Sequence, residues 1–87
     1  MAEEPSAEQI VEELRKAKVS DLLVHTTSMI ASLGFAKLDV ETRDLEQARL
    51  AIEALKALAP HLEGELAADL GRALTNLQVA YAEAAAS

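Results

Sequence analysis

The chain has no cysteine and no tryptophan, and its 87 residues include only three glycines, two prolines, one phenylalanine and one tyrosine. Without cysteine there is no disulfide, and the common structural zinc sites lose their thiolate ligands. So few glycines and prolines leave little material for turns and point to long helices. With Phe35 and Tyr81 the only aromatics, core volume must come from aliphatic side chains. A basic segment is also missing. The net charge of −7 divides as −3 over residues 1–21, 0 over 22–36, −1 over 37–59 and −3 over 60–87. Counterion-release binding to a phosphate backbone is therefore not expected, nor is attraction to anionic lipid. No basic-then-apolar start suggests a signal peptide. The expectation is a cytoplasmic protein without nucleic-acid or membrane partners.

What is present is alanine, leucine and glutamate. Apolar residues make up 51% of the chain, and 18 of them are alanine. Short side chains let helices approach closely, and the composition predicts an all-α fold. A chain of this length buries only about 60% of its unfolded surface and is marginal as a monomer. With disulfides excluded, oligomerisation is the expected remedy.

Residues 1–18 are expected to form an amphipathic extension and residues 19–87 a single helical domain. After an acidic lead-in over residues 1–5, Ser6 and Gln9 form a capping-box pattern that opens a first helix. Ala7, Ile10, Val11, Leu14 and Ala17 fall on one face of it, with Glu12 four residues before Lys16. Val19-Ser20-Asp21 reads as a break and restart, with Ser20 as the cap of a second helix. Gly34 suits the left-handed position beyond that helix, with Phe35 folded back onto Ile30. In the connection that follows, Leu38 and Val40 are candidates for pinning to the core.

Asp44 and Gln47 predict the start of a third helix. Its charged residues Glu46, Arg49, Glu53 and Lys56 share an arc of about 80°, and almost everything else on it is apolar or small. Such a helix needs neighbours on more than one side. Pro60 ends it. The turn His61–Gly64 then brings a fourth helix back antiparallel, running from about Glu65 towards Ala85. Leu66, Leu70, Ala73, Leu74, Leu77 and Tyr81 make its apolar stripe, and Gly71 inside it costs about 1 kcal/mol of helix propensity. The expected architecture is three core helices plus the N-terminal helix, with an antiparallel hairpin of the last two.

Leu33-Gly34, the run Asp44–Leu55 and the run Leu74–Tyr81 resemble a bacterial family of small helical proteins with a domain of unknown function. The shared core is Leu-Glu-x-Ala-Arg-x-x-Ile, carried here by Leu45, Glu46, Ala48, Arg49 and Ile52. The resemblance covers roughly residues 19–83. Its turn differs from the commonest version, with Pro60-His61-Leu62-Glu63-Gly64 in place of a Lys-Thr-x-Gly-Asn-Leu loop. What the resemblance implies is a helical bacterial cytoplasmic protein, with no activity attached.

Between Leu22 and Ala36 the chain carries no Asp, Glu, Lys or Arg. As helix this stretch is about 22 Å long, short of the roughly 20 residues a membrane span needs. Three strips run along it. Asp21, His25, Ser28 and Ser32 lie within about 60°, which invites comparison with a catalytic triad. No nucleophile elbow or oxyanion-hole loop accompanies them, so they read as a polar helix side. Leu22, Leu23, Met29, Ile30 and Leu33 form a broad apolar face that includes Thr26. Opposite, Ser20, Val24, Thr27 and Ala31 are spaced 4, 3 and 4, as in a close-packed heptad seam. Either that seam meets a second copy or the first helix covers it; the favoured expectation is the second copy.

Elsewhere, His61 beside Glu63 does not make a metal site, and no EF-hand or phosphate loop is present. Glu46 and Arg49 suit either an ion pair used structurally or towards a partner, or a solvated face. No cofactor, metal or catalytic residue is expected. The overall expectation is a non-enzymatic homo-oligomeric helical interaction module with an unidentified protein partner. The alternatives are a small ligand-binding or catalytic bundle using His25, or a peripheral membrane protein.

Overall fold

The computed structural model describes residues 6–87. The acidic lead-in lies outside them. Four α-helices and one 3-10 turn account for the described fold: α1 (Ala7–Lys16), α2 (Val19–Ala36), α3 (Leu45–Leu58), the turn Ala59–His61, and α4 (Gly64–Ala86). No strand occurs among the described residues. α2, α3 and α4 pack against one another, and each touches the other two.

α1 starts on a complete capping box. The Gln9 N–H donates to Ser6 Oγ at 3.2 Å, and the Ser6 N–H donates to Gln9 Oε1 at 3.0 Å. Nothing in this helix is buried. Ala17 and Lys18, the two residues that link it to α2, are both extended. The radius of gyration is 16.2 Å, against about 12 Å for a compact chain of this length. Together these observations place α1 outside the core.

α2 departs from expectation at both ends. It begins at Val19 behind Lys18, whose side chain makes no capping bond, so Ser20 lies inside the first turn rather than capping it. The helix opens with the Lys18 carbonyl accepting from the N–H groups of Asp21 and Leu22, and its first N–H groups receive no side-chain cap. Nor does α2 stop at Gly34. It runs through to Ala36, and the only left-handed backbone among the described residues is at Gly64, where φ is +63°. Phe35 is exposed instead of covering Ile30. Within a continuous helix the two sit about 140° apart, on different faces.

The α2–α3 connection is fixed by its polar groups. The Thr42 hydroxyl donates to the Ala36 carbonyl at 2.6 Å, and the Asp44 N–H donates to the Lys37 carbonyl at 2.8 Å. Arg43 Nε and Nη2 donate to the Leu38 carbonyl at 3.3 and 3.1 Å. Leu38 is buried as expected, whereas Val40 is exposed. Asp44 caps α3 by accepting from the Gln47 N–H at 3.2 Å. Its own N–H is already committed to Lys37, so the reciprocal half of a capping box is not used.

α3 buries Ala48, Ala51, Ile52 and Leu55 and holds Glu46, Arg49, Glu53 and Lys56 in solvent. Pro60 sits in the 3-10 turn directly after it. α4 buries Leu70, Leu77 and Ala84, a strict seven-residue repeat that keeps one line of the helix facing its neighbours. Leu66, at the end of the expected stripe, is exposed. Leu55 and Leu77 are the large side chains fully removed from water, each contributing about 1.5–3 kcal/mol by burial.

The three helices come together at Gly34. A β-carbon placed there would lie 3.0 Å from Ala51 Cβ on α3 and 3.0 Å from Leu77 Cδ2 on α4. Hydrogen in place of a methyl lets α2 seat against both partners.

Candidate interaction face

The seam on α2 faces inward. Thr27 is only 4% exposed, and Val24 and Ala31 are half-buried. The Thr27 hydroxyl donates back into its own helix, within 2.8 Å of the Leu23 carbonyl and 3.0 Å of that of Val24. A hydroxyl satisfied this way enters a core without the usual cost of a buried polar group. Val24, Thr27 and Ala31 border a crevice whose other wall is Leu62, Leu66, Leu70 and Ala73. Thus the seam expected to meet a second copy faces the chain's own α4 and the turn before it across a crevice of about 310 Å³. Ser20, at its N-terminal end, is exposed. The expected alternative cover, α1, is not the one used either.

Gly34 belongs to the same seam. It follows Ala31 by three residues, so the spacing 4, 3, 4 continues as 4, 3, 4, 3. Extending the heptad by one position would have identified it as a packing residue. Read as a helix terminator, it hid the direction in which the seam points.

With the seam inside, the other apolar arc of α2 is turned to solvent. Leu22 is 63% exposed, Met29 61% and Leu33 57%. At 100° per residue these three lie within about 40° of one another. Ile30 and Thr26 border them and are half-buried. The surface continues onto α3, where Leu50 is exposed, through a groove of about 240 Å³ lined by Ile30, Leu33, Lys37, Gln47, Leu50 and Ala54, with Ala51 at its base. The groove contains no acidic side chain, and Lys37 at its rim forms no ion pair among the described residues. A contiguous apolar surface of this kind, rather than single exposed leucines, marks interaction sites.

Asp21, His25, Ser28 and Ser32 form the polar border of this face. All four are exposed, and no hydrogen bond joins them among the described residues. Residues of α2 alone line an open concavity of about 730 Å³ here, among them His25, Ser28, Ser32, Met29 and Leu33. One helix supplies no opposing wall, so this surface lacks the enclosure that small-ligand sites have. No cluster of three or more metal-ligating side chains occurs among the described residues. His61 is exposed in the turn.

Arg49 pairs with Glu53 at 3.4 Å rather than with Glu46. Both members are exposed on the solvated side of α3, and a pair of this kind is worth about 0.3–0.5 kcal/mol. Glu46 forms no ion pair among the described residues.

α2 also proves longer than its uncharged stretch. Because Val19, Ser20 and Asp21 are helical, it reaches 18 residues and is long and apolar enough, by length and composition, to cross a membrane. Of this span 17% is buried, including Thr27 and Gly34.

No family model, curated protein or solved structure matches this chain.

Proposed function

We propose that the chain is a non-enzymatic helical interaction module that works as a homo-oligomer in the bacterial cytoplasm, with a further protein as its partner. The observation that carries this reading is the outward face of Leu22, Met29 and Leu33 on α2, extended by Leu50 on α3, all of them exposed among the described residues. The apolar side of α1 is left open in the same way. The placement in a bacterial cytoplasm rests on the resemblance of residues 19–83 to the small helical family. The absence of an enzymatic role is supported by the open, single-walled setting of His25 and its neighbours.

Light scattering on the chain at micromolar concentration tests the reading. A mass above the 9.3 kDa of one chain, reduced by Met29→Glu, is the expected result. A monomer that melts at high temperature would overturn it.

The length and apolar outer face of α2 favour one second reading, a protein that lies on a membrane surface. Flotation with zwitterionic vesicles separates the two. The oligomer reading expects the protein to stay at the bottom of the gradient.

A further inference from the structure

Two apolar faces of this chain are open, and they match. On α1, Ile10, Val11 and Leu14 are exposed along a helix of 10 residues, about 15 Å long. On α2, the outward line from Leu22 to Leu33 covers about 16 Å. α1 carries Glu8 in its first turn. The groove between α2 and α3 has Lys37 at the C-terminal end of α2 and no acidic group. An α1 laid with its N-terminus beside Lys37 sets Glu8 near that ammonium. It also aligns the two helix dipoles head to tail, the favourable sense.

The α1 of the same chain is poorly placed to do this. A tight return between helices uses a left-handed residue just after the first helix, usually glycine. The link here is Ala17-Lys18, neither of them glycine and both extended. A left-handed turn at such a residue costs about 1–2 kcal/mol. The extended link instead carries α1 away from the core of its own chain.

Deepening the self-association reading, on which it rests, we infer that the occupant of the α2–α3 groove is α1 of a second copy, exchanged reciprocally about a twofold axis. Ile10, Val11 and Leu14 of one copy cover Met29, Leu33 and Leu50 of the other. Such an isologous contact closes at two copies. Counting both exchanged arms, the buried area is on the order of the 1,200 Å² at which specific interfaces begin.

The test uses the full chain, which has no cysteine of its own. Leu14→Cys and Met29→Cys are made as separate proteins, distinguished by a mass label and mixed under mild oxidation. Each carries one thiol, so every disulfide joins two copies. The exchange expects the mixed product to dominate over both like-with-like products. It also expects Ile10→Glu combined with Leu14→Glu to bring the mass down to one chain, as Met29→Glu does, with helicity nearly unchanged and both variants melting at the same, concentration-independent temperature. Mass that falls with Met29→Glu but not with the α1 variant overturns the exchange and leaves self-association standing. A native chain that is already monomeric overturns both. The variant carrying both cysteines adds a further arm: a disulfide within one chain would show that α1 closes on its own groove and would also overturn the exchange.

Discussion

Gly34 on α2 and Ala51 on α3 stand so close that a β-carbon added to the glycine would lie 3.0 Å from the alanine Cβ. Ala51 Cβ is fixed to its helix and cannot swing aside, and Leu77 crowds the same point from α4 at the same distance. Gly34→Ala is therefore expected to force α2 outward and lower stability by about 1–3 kcal/mol. Helix propensity acts in the opposite direction, by about 1 kcal/mol, so the net loss sits at the lower part of that range. Urea denaturation gives the figure. An unchanged midpoint would mean that the helices can separate by a few tenths of an ångström without penalty.

Gly71→Ala is the natural partner experiment. A β-carbon there meets nothing within 4 Å, and the position is in the interior of α4. Propensity acts alone, and a gain of about 0.5–1 kcal/mol is expected. The same substitution in two helices of one protein thus has opposite signs, which a pair of thermal melts will resolve.

Removal of the α3 cap by Asp44→Ala frees the Gln47 N–H and is expected to cost about 1 kcal/mol. Asp44→Ser should recover most of this, because its hydroxyl can accept the same bond. The Asp44 N–H bond to the Lys37 carbonyl survives both changes, so the connection itself should hold its shape. Amide exchange at Asp44 would report on that directly.

Leu77→Ala empties a fully buried site at the junction of three helices. A loss of about 2–5 kcal/mol is expected, enough to leave a small domain largely unfolded at 37 °C. Leu22→Ala removes a similar side chain from an exposed position and should move the stability of the single chain by no more than about 0.5 kcal/mol. Circular dichroism melts of the two proteins compare burial with exposure at constant chemistry.

Ala31→Glu and Met29→Glu place the same carboxylate two residues apart on opposite sides of α2. At half-buried Ala31 the charge enters a crevice lined by Leu62, Leu70 and Ala73 with the carboxylate of Asp69 beside them and should destabilise the fold itself by about 1–3 kcal/mol. At Met29 it projects into solvent, so the single chain should keep its fold while the mass falls, and the melting temperature should drop only by what association contributed. Melting and light scattering on both variants distinguish a core residue from an interface residue.

The all-helical class, the caps at Ser6 and Asp44, the end of α3 before Pro60 and the charged arc of α3 were all legible in the sequence. Each depends on local chemistry within a few residues. What could not be read was direction. Periodicity divided α2 into three strips, but an amphipathic pattern does not say which strip meets the rest of the chain when both non-polar strips would be satisfied by burial. Thr27 was legible as a seam residue, but not that its hydroxyl would bond to the carbonyls of its own helix and so be buried within the chain. Gly34 satisfied the local rule for a helix stop, and the tertiary contact with Ala51 and Leu77 overrode it. Arg49 faced carboxylates at both i−3 and i+4, and the i+4 residue, Glu53, is the one it pairs with.

The core is complete without α1, and two of its three helix pairings join neighbours along the chain. Proteins built from such near-sequence contacts fold in microseconds to milliseconds. Each molecule can thus finish its bundle well before it encounters another at cellular concentrations. Folding is then first order in protein and any later association second order. Dilution would release intact, fully helical single chains rather than unfolded ones.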